Sequence, residues 1–131
     1  MVGGQPSGVL FLCVANSARS QIAEAVARDL APAGVEVFSA GSSPTHVNPL
    51  AVQALTEAGV DAANLSSKGI GEVPMDQIGT VVTLCADEVC PVLPGGVLRL
   101  HWPQPDPADL ADFRSVVAAV RECVKALFAQ T

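Results

Sequence analysis

Cys13 and Arg19 stand six positions apart in the run Cys13-Val14-Ala15-Asn16-Ser17-Ala18-Arg19-Ser20. The chemistry such a pair can share is nucleophilic attack on a bound tetrahedral oxyanion. A loop that leaves a strand and winds into a helix turns several main-chain N–H groups toward one point, and the helix N-terminus adds its positive end. Arg19 can fold back over the loop and hold two oxygens with its planar fork, which a lysine cannot match. The same positive groups favour the thiolate of Cys13, the reactive form. Small Ala15, Ser17 and Ala18 permit close approach, Asn16 tolerates unusual dihedrals, and the Ser20 hydroxyl can donate to the sulfur. Val14, Ala15, Asn16, Ser17, Ala18, Arg19 and Ser20 are therefore the expected anion-binding set. The competing reading is a core cysteine at a strand end beside an ordinary surface arginine. The apolar stretch Val9-Leu10-Phe11-Leu12 before the run and the helical pattern after it favour the loop.

Cys85 and Cys90 enclose Ala86-Asp87-Glu88-Val89. Zinc usually takes tighter pairs with further Cys or His ligands, and His46 and His101 are isolated, so neither a metal nor a cofactor is expected. In a helix, five steps would set the two Cα atoms roughly 8–9 Å apart, past the ~7 Å limit for a disulfide. A bond between them would then need the segment to unwind, for which a stretch containing Pro91, Pro94 and Gly95-Gly96 is suited. Two incidental loop cysteines are the alternative. Cys123, between Val120 and Val124, reads as a small packing hydrophobe; His46 and His101 read as surface or strand-end residues and Trp102 as packing. Asp106, before Pro107, has two readings. It is a good helix N-cap, which favours the ionised carboxylate, and it is a candidate general acid, which must hold a proton.

Elements that would position these residues alternate along the chain. Val9 to Leu12 reads as a buried strand, and Ala18 to Leu30 as a helix with Ile22, Ala25, Val26 and Leu30 on one face, ended by Pro32 and Gly34. Val35 to Ala40 is a second strand. Asn48-Pro49 caps a helix over Leu50 to Ala58 that stops at Gly59. Thr80 to Leu84 and Val97 to Leu100 are the third and fourth strands. Asp106-Pro107 is expected to open the last helix, with the stripe Leu110, Phe113, Val117, Val120, Val124, Leu127. The pattern predicts an α/β fold: one domain with a four-stranded parallel sheet, helices on both faces and the oxyanion loop after the first strand. Ligands of such sheets sit at the carboxyl ends of the strands, where Cys13 and Cys85 both fall.

At 131 residues the chain suits one domain, read as a flexible tail over residues 1–8 and a folded unit over residues 9–131. Half of the residues are hydrophobic and 15% charged, which excludes a disordered chain. The net charge of −6, without a basic run, argues against nucleic acid and anionic membranes as partners. It also means that oxyanion affinity must come from the loop and Arg19. No apolar run approaches the ~20 residues of a membrane span. The start lacks a signal-peptide pattern, so a cytoplasmic protein with working thiols is expected.

Four stretches, Cys13 to Ser20, Ser39-Ala40-Gly41 to Asn48-Pro49, Val81 to Cys85 with Cys90-Pro91, and His101-Trp102 to Asp106-Pro107-Ala108, agree in order with one family. From Val9 to the last helix the chain resembles the arsenate reductases related to low-molecular-weight protein tyrosine phosphatases. Those phosphatases share the loop but carry Asp-Pro-Tyr around the acid and lack the extra thiols; this chain reads Asp106-Pro107-Ala108 and contains no tyrosine. Reducing arsenate takes two electrons, which a dithiol supplies. The resemblance implies attack of Cys13 on arsenic held by the loop and Arg19, with Asp106 protonating the departing oxygen. Cys85 then attacks Cys13 and releases arsenite, and Cys90 attacks Cys85. The Cys85–Cys90 disulfide is reduced by thioredoxin. The chain departs from the family pattern in a shorter Cys85-to-Cys90 gap. It also has Lys68 where some relatives hold potassium with an acidic residue. Rival functions are a low-molecular-weight phosphotyrosine or aryl phosphatase and a non-enzymatic oxyanion-binding or redox-sensing thiol module.

Overall fold

A computed structural model describes residues 7–85 and 97–129. In chain order the elements are β1 (Gly8–Cys13), α1 (Arg19–Leu30), β2 (Val37–Gly41), α2 (Pro49–Glu57), two 3-10 turns (Ile70–Glu72 and Met75–Gln77), β3 (Ile78–Thr83), β4 (Leu98–His101) and α3 (Leu110–Phe128). The four strands form one parallel sheet in the order β2-β1-β3-β4. The chain steps from β1 outward to β2 and returns to β3 on the other side of β1. That reversal opens a crevice at the carboxyl ends of β1 and β3, the place where such sheets bind ligands.

β1 is buried along its whole length, as a strand covered on both faces must be. Val9 and Phe11 face one core together with Val82, Leu84 and the apolar sides of α1, α2 and α3. Leu10 and Leu12 face a second, smaller core with Ala40, Val81 and Ile78, closed by Val73, Ile70 and Met75. Both faces are thus covered, though unequally: the three α-helices share one, and the 3-10 turns close the other among the described residues. The expected stripe of α3 is present, with Phe113, Val117, Val120 and Val124 buried and Leu110 and Leu127 packed at its ends. Asn48 caps α2 through its side chain, accepting from Leu50 N at 2.9 Å. Gly59, at φ +78°, ends α2 in the left-handed conformation that glycine adopts without strain.

Several boundaries differ from the sequence reading. Gly8, assigned to the tail, is the first residue of β1 and lies so close to the Gln77 carbonyl that a Cβ would collide with it. The last helix does not open at Asp106. Its cap is Asp109, which accepts from Asp112 N at 2.9 Å, while Asp112 accepts from Ala108 N at 3.1 Å. The physical reason lies upstream: Pro103, Pro105 and Pro107 each push the residue before them out of the helical region, so the chain stays extended. Cys90 and the rest of the Cys85-to-Gly96 stretch after Cys85, on which the unwinding expectation rests, lie outside the described residues, as do residues 1–6 of the expected tail.

Candidate active site

The loop between β1 and α1 is shaped by where its carbonyl oxygens go. Val14 O accepts from Ser43 N at 2.9 Å, Ala15 O from Thr45 N at 3.1 Å and Ser17 O from Asn48 N at 2.9 Å. Asn16 O accepts from Gln21 Nε2 at 3.0 Å. With four successive carbonyls drawn outward into the protein, the peptide N–H groups of the same units turn to the inside of the loop. Among the described residues no side chain caps the first turn of α1, and the positive end of the helix is directed at the same point. Asn16 takes the left-handed φ of +48° that this winding needs. Gly41 makes room: it pairs with Cys13, and a Cβ there would collide with Val14 O and come within 2.8 Å of Asn16 N.

Behind the loop a hydrogen-bonded chain fixes the environment of the sulfur. Lys68 N, which can only donate, lies 2.8 Å from Asn16 Oδ1, and Gln21 Nε2 donates to the same oxygen at 2.9 Å. That sets the orientation of the Asn16 amide, and its nitrogen donates to Ser20 Oγ at 2.8 Å and to Ser39 Oγ at 3.0 Å. Ser20, which accepts from Asn16, also shares a 2.8 Å hydrogen bond with Cys13 Sγ, in which either group can donate. Ser39 donates in turn to the buried Glu24 carboxylate, which also pairs with Arg28 and with Lys68 Nζ at 3.4 Å. Lys68 Nζ donates to Ser66 O at 2.8 Å. Glu24 and Gln21 were not recognised in the sequence. The available signal is that Gln21, Glu24 and Arg28 form one polar stripe at helical spacing, set apart from the apolar Ile22, Ala25 and Val26.

In front of the sulfur lies a cavity of about 440 Å³ lined by Cys13, Val14, Ala15, Ser17, Ala18, Arg19, Thr45, Asn48, Asp106 and Pro107. The structure therefore gathers the expected nucleophile, most of the loop, the arginine and the candidate acid around one space, while Asn16 and Ser20 stand behind it. Arg19 is 5% exposed; its Nη1 donates to Gln104 O at 3.1 Å and its Nη2 is 4.0 Å from Asp106 Oδ1. The Asp106 side chain is 81% exposed, free of the capping duty that Asp109 performs. Thr45, Asn48 and Pro107 join the lining from segments that the sequence reading treated as connections and caps.

Cys85 is buried two residues beyond β3 and does not line the cavity. Leu12 pairs with Thr83, and Leu84 N donates to Leu12 O at 3.0 Å, so Cys13 and Cys85 leave the ends of adjacent strands. Cys85 is disulfide-bonded, whereas Cys13 and Cys123 are free thiols. Cys123 is half-buried beside the α3 stripe, as its place between Val120 and Val124 implies. His46 is exposed, and exposed His101 shares a 2.6 Å hydrogen bond with Thr83. Trp102 packs on Phe11, ring centroids 5.9 Å apart. Among the described residues no three His, Cys, Asp or Glu side chains are grouped to hold a metal ion, and no helix is long and apolar enough to cross a membrane.

The model of the low molecular weight phosphotyrosine protein phosphatase family matches residues 8–131. An arsenate reductase of Bacillus cereus is 40% identical over 121 residues, 89% of this chain and 90% of that protein. The arsenate reductase of Archaeoglobus fulgidus superposes with a TM-score of 0.82 at 33% identity, covering 92% of this chain and 98% of its own. A thioredoxin-dependent arsenate reductase of Corynebacterium glutamicum superposes with a TM-score of 0.75 at 31% identity, over 100% of this chain and 66% of its own. The chain belongs to the low molecular weight phosphotyrosine protein phosphatase family, in the company of arsenate reductases.

Proposed function

We propose that this protein reduces arsenate to arsenite. The observation that carries the reading is the placement of Cys85 at the end of the strand adjacent to the one that presents Cys13, next to an oxyanion cradle. Ester hydrolysis has no use for a second thiol, whereas reduction of arsenic from the +5 to the +3 state needs an electron pair. Cys13 thiolate attacks arsenic held by the loop N–H groups and Arg19, and Asp106 supplies the proton to the departing oxygen. Cys85, once its disulfide has been reduced by thioredoxin, attacks the Cys13 sulfur as a thiolate; the sulfur–arsenic bond breaks, its electron pair leaves with arsenite, and a Cys13–Cys85 disulfide remains. Cys90 then attacks Cys85, and thioredoxin reduces the resulting Cys85–Cys90 bond. Such a cycle belongs to a reducing compartment, the cytoplasm.

The test follows NADPH oxidation with arsenate, thioredoxin and thioredoxin reductase. The expected result is consumption that depends on arsenate and on each protein. Phosphate release from an aryl ester without arsenate-dependent NADPH oxidation would assign the phosphatase reaction instead, and neither activity would leave a binding module.

A further inference from the structure

The segment from Trp102 to Pro107 links two parts of the site that the chemistry treats separately. Its sequence is Trp102-Pro103-Gln104-Pro105-Asp106-Pro107. Pro103 and Pro105 have no N–H, so Gln104 supplies the one main-chain donor between Trp102 and Asp106. That donor goes to Leu84 O at 3.1 Å, immediately before Cys85. The Gln104 carbonyl accepts from Arg19 Nη1 at 3.1 Å. One peptide segment thus touches the arginine of the cradle on one side and the Leu84 carbonyl, just before Cys85, on the other. The segment is anchored at its start, where Trp102 N donates to Thr83 O at 2.8 Å and the indole packs on Phe11. At its far end it delivers Asp106 to within 4.0 Å of Arg19.

We propose that Gln104 is a positioning residue, whose main chain sets the Arg19 guanidinium and couples anion occupancy of the loop to the placement of the Leu84–Cys85 peptide. The alternating prolines make this possible: each fixes its own φ and restricts the residue before it, so little conformational freedom is left for Gln104 to lose. An arginine on a flexible strap would have to be ordered at each binding event. Coupling of this kind is reciprocal. An anion that orders Arg19 strengthens the hold of Arg19 on Gln104 and hence of Gln104 on Leu84, and the placed Leu84–Cys85 peptide returns the same factor to anion affinity. The inference rests on the reading of the loop as an oxyanion site.

Inorganic phosphate serves as the unreactive probe on the full chain. Amide exchange read residue by residue by NMR should show Gln104 N–H slowed by phosphate at least fivefold more than Trp102 N–H, which lies on the same segment but has no link to Arg19. Replacing both prolines, P103A together with P105A, should raise the phosphate Kd at least threefold and shrink that difference. If phosphate binds the unaltered protein but the two amides respond equally, or Gln104 exchanges faster, the strut is overturned and the oxyanion site stands. A double variant that folds and keeps full phosphate affinity would also overturn it. Failure of the unaltered protein to bind phosphate at all would overturn both readings together.

Discussion

Ser20 Oγ stands 2.8 Å from Cys13 Sγ and accepts from Asn16 Nδ2 at 2.8 Å, so the hydroxyl is held where its proton can reach the sulfur. When Cys13 is ionised for attack it has no proton to give, and the Ser20 hydroxyl is then the donor, in addition to the loop N–H groups and Arg19. Ser20→Ala should slow alkylation of Cys13 by iodoacetamide at neutral pH by roughly tenfold, the size of one hydrogen bond to a charged group. An unchanged alkylation rate would remove Ser20 from the activation of the nucleophile.

Cys13→Ser should abolish arsenate reduction, since an alcohol offers no comparable nucleophile at neutral pH. Arg19→Lys should lower kcat roughly a hundredfold, the scale set by removal of one oriented oxyanion donor. Near-normal turnover of the lysine variant would make Arg19 a structural residue.

Cys85→Ser and Cys90→Ser should both stop multiple turnover, but at different stages. Without Cys90 the protein should release one equivalent of arsenite and accumulate a Cys13–Cys85 disulfide, visible by peptide mapping. Cys123→Ser, in a half-buried thiol away from the cavity, should leave turnover intact. Normal thioredoxin-linked turnover by Cys90→Ser would exclude its resolving role.

Gly41→Ala should disturb the loop through the backbone of its neighbour. The added methyl collides with Val14 O, and a carbonyl held by Ser43 N has nowhere to go. A destabilisation of about 1–3 kcal/mol in urea unfolding is expected from such overpacking, together with weaker phosphate binding. A variant with unaltered stability and affinity would show that the loop can give way.

Lys68 places an ammonium between Glu24 and Ser39, behind the loop that Asn16 supports. Exchange of potassium for sodium at fixed ionic strength should then change activity little, and Lys68→Asp should make it potassium-responsive. A strong potassium requirement in the unaltered protein would refute this role.

Much of the site is local in sequence and was legible there. The spacing of Cys13 and Arg19, an apolar strand before them and an amphipathic helix after them are enough to specify a strand–loop–helix cradle. Alternation of strands and helices is enough to put Cys13 and Cys85 at one sheet edge. Asn48 and Gly59 bound α2 as their side-chain chemistry demands, because caps depend on a few neighbouring residues. What depends on residues far apart was decided by the tertiary structure. Asp106 and Asp109 are both aspartates near a helix start; the alternating prolines, a local feature, leave the cap to Asp109, but only the fold brings the freed Asp106 to Arg19. Glu24, Ser39 and Lys68 lie on three separate segments, so no local pattern announces their contact. Gln104 acquires its place only when Leu84 and Arg19 are brought to either side of it. Sequence periodicity reports which face of an element is apolar; which polar atoms meet across the core is set by register and packing.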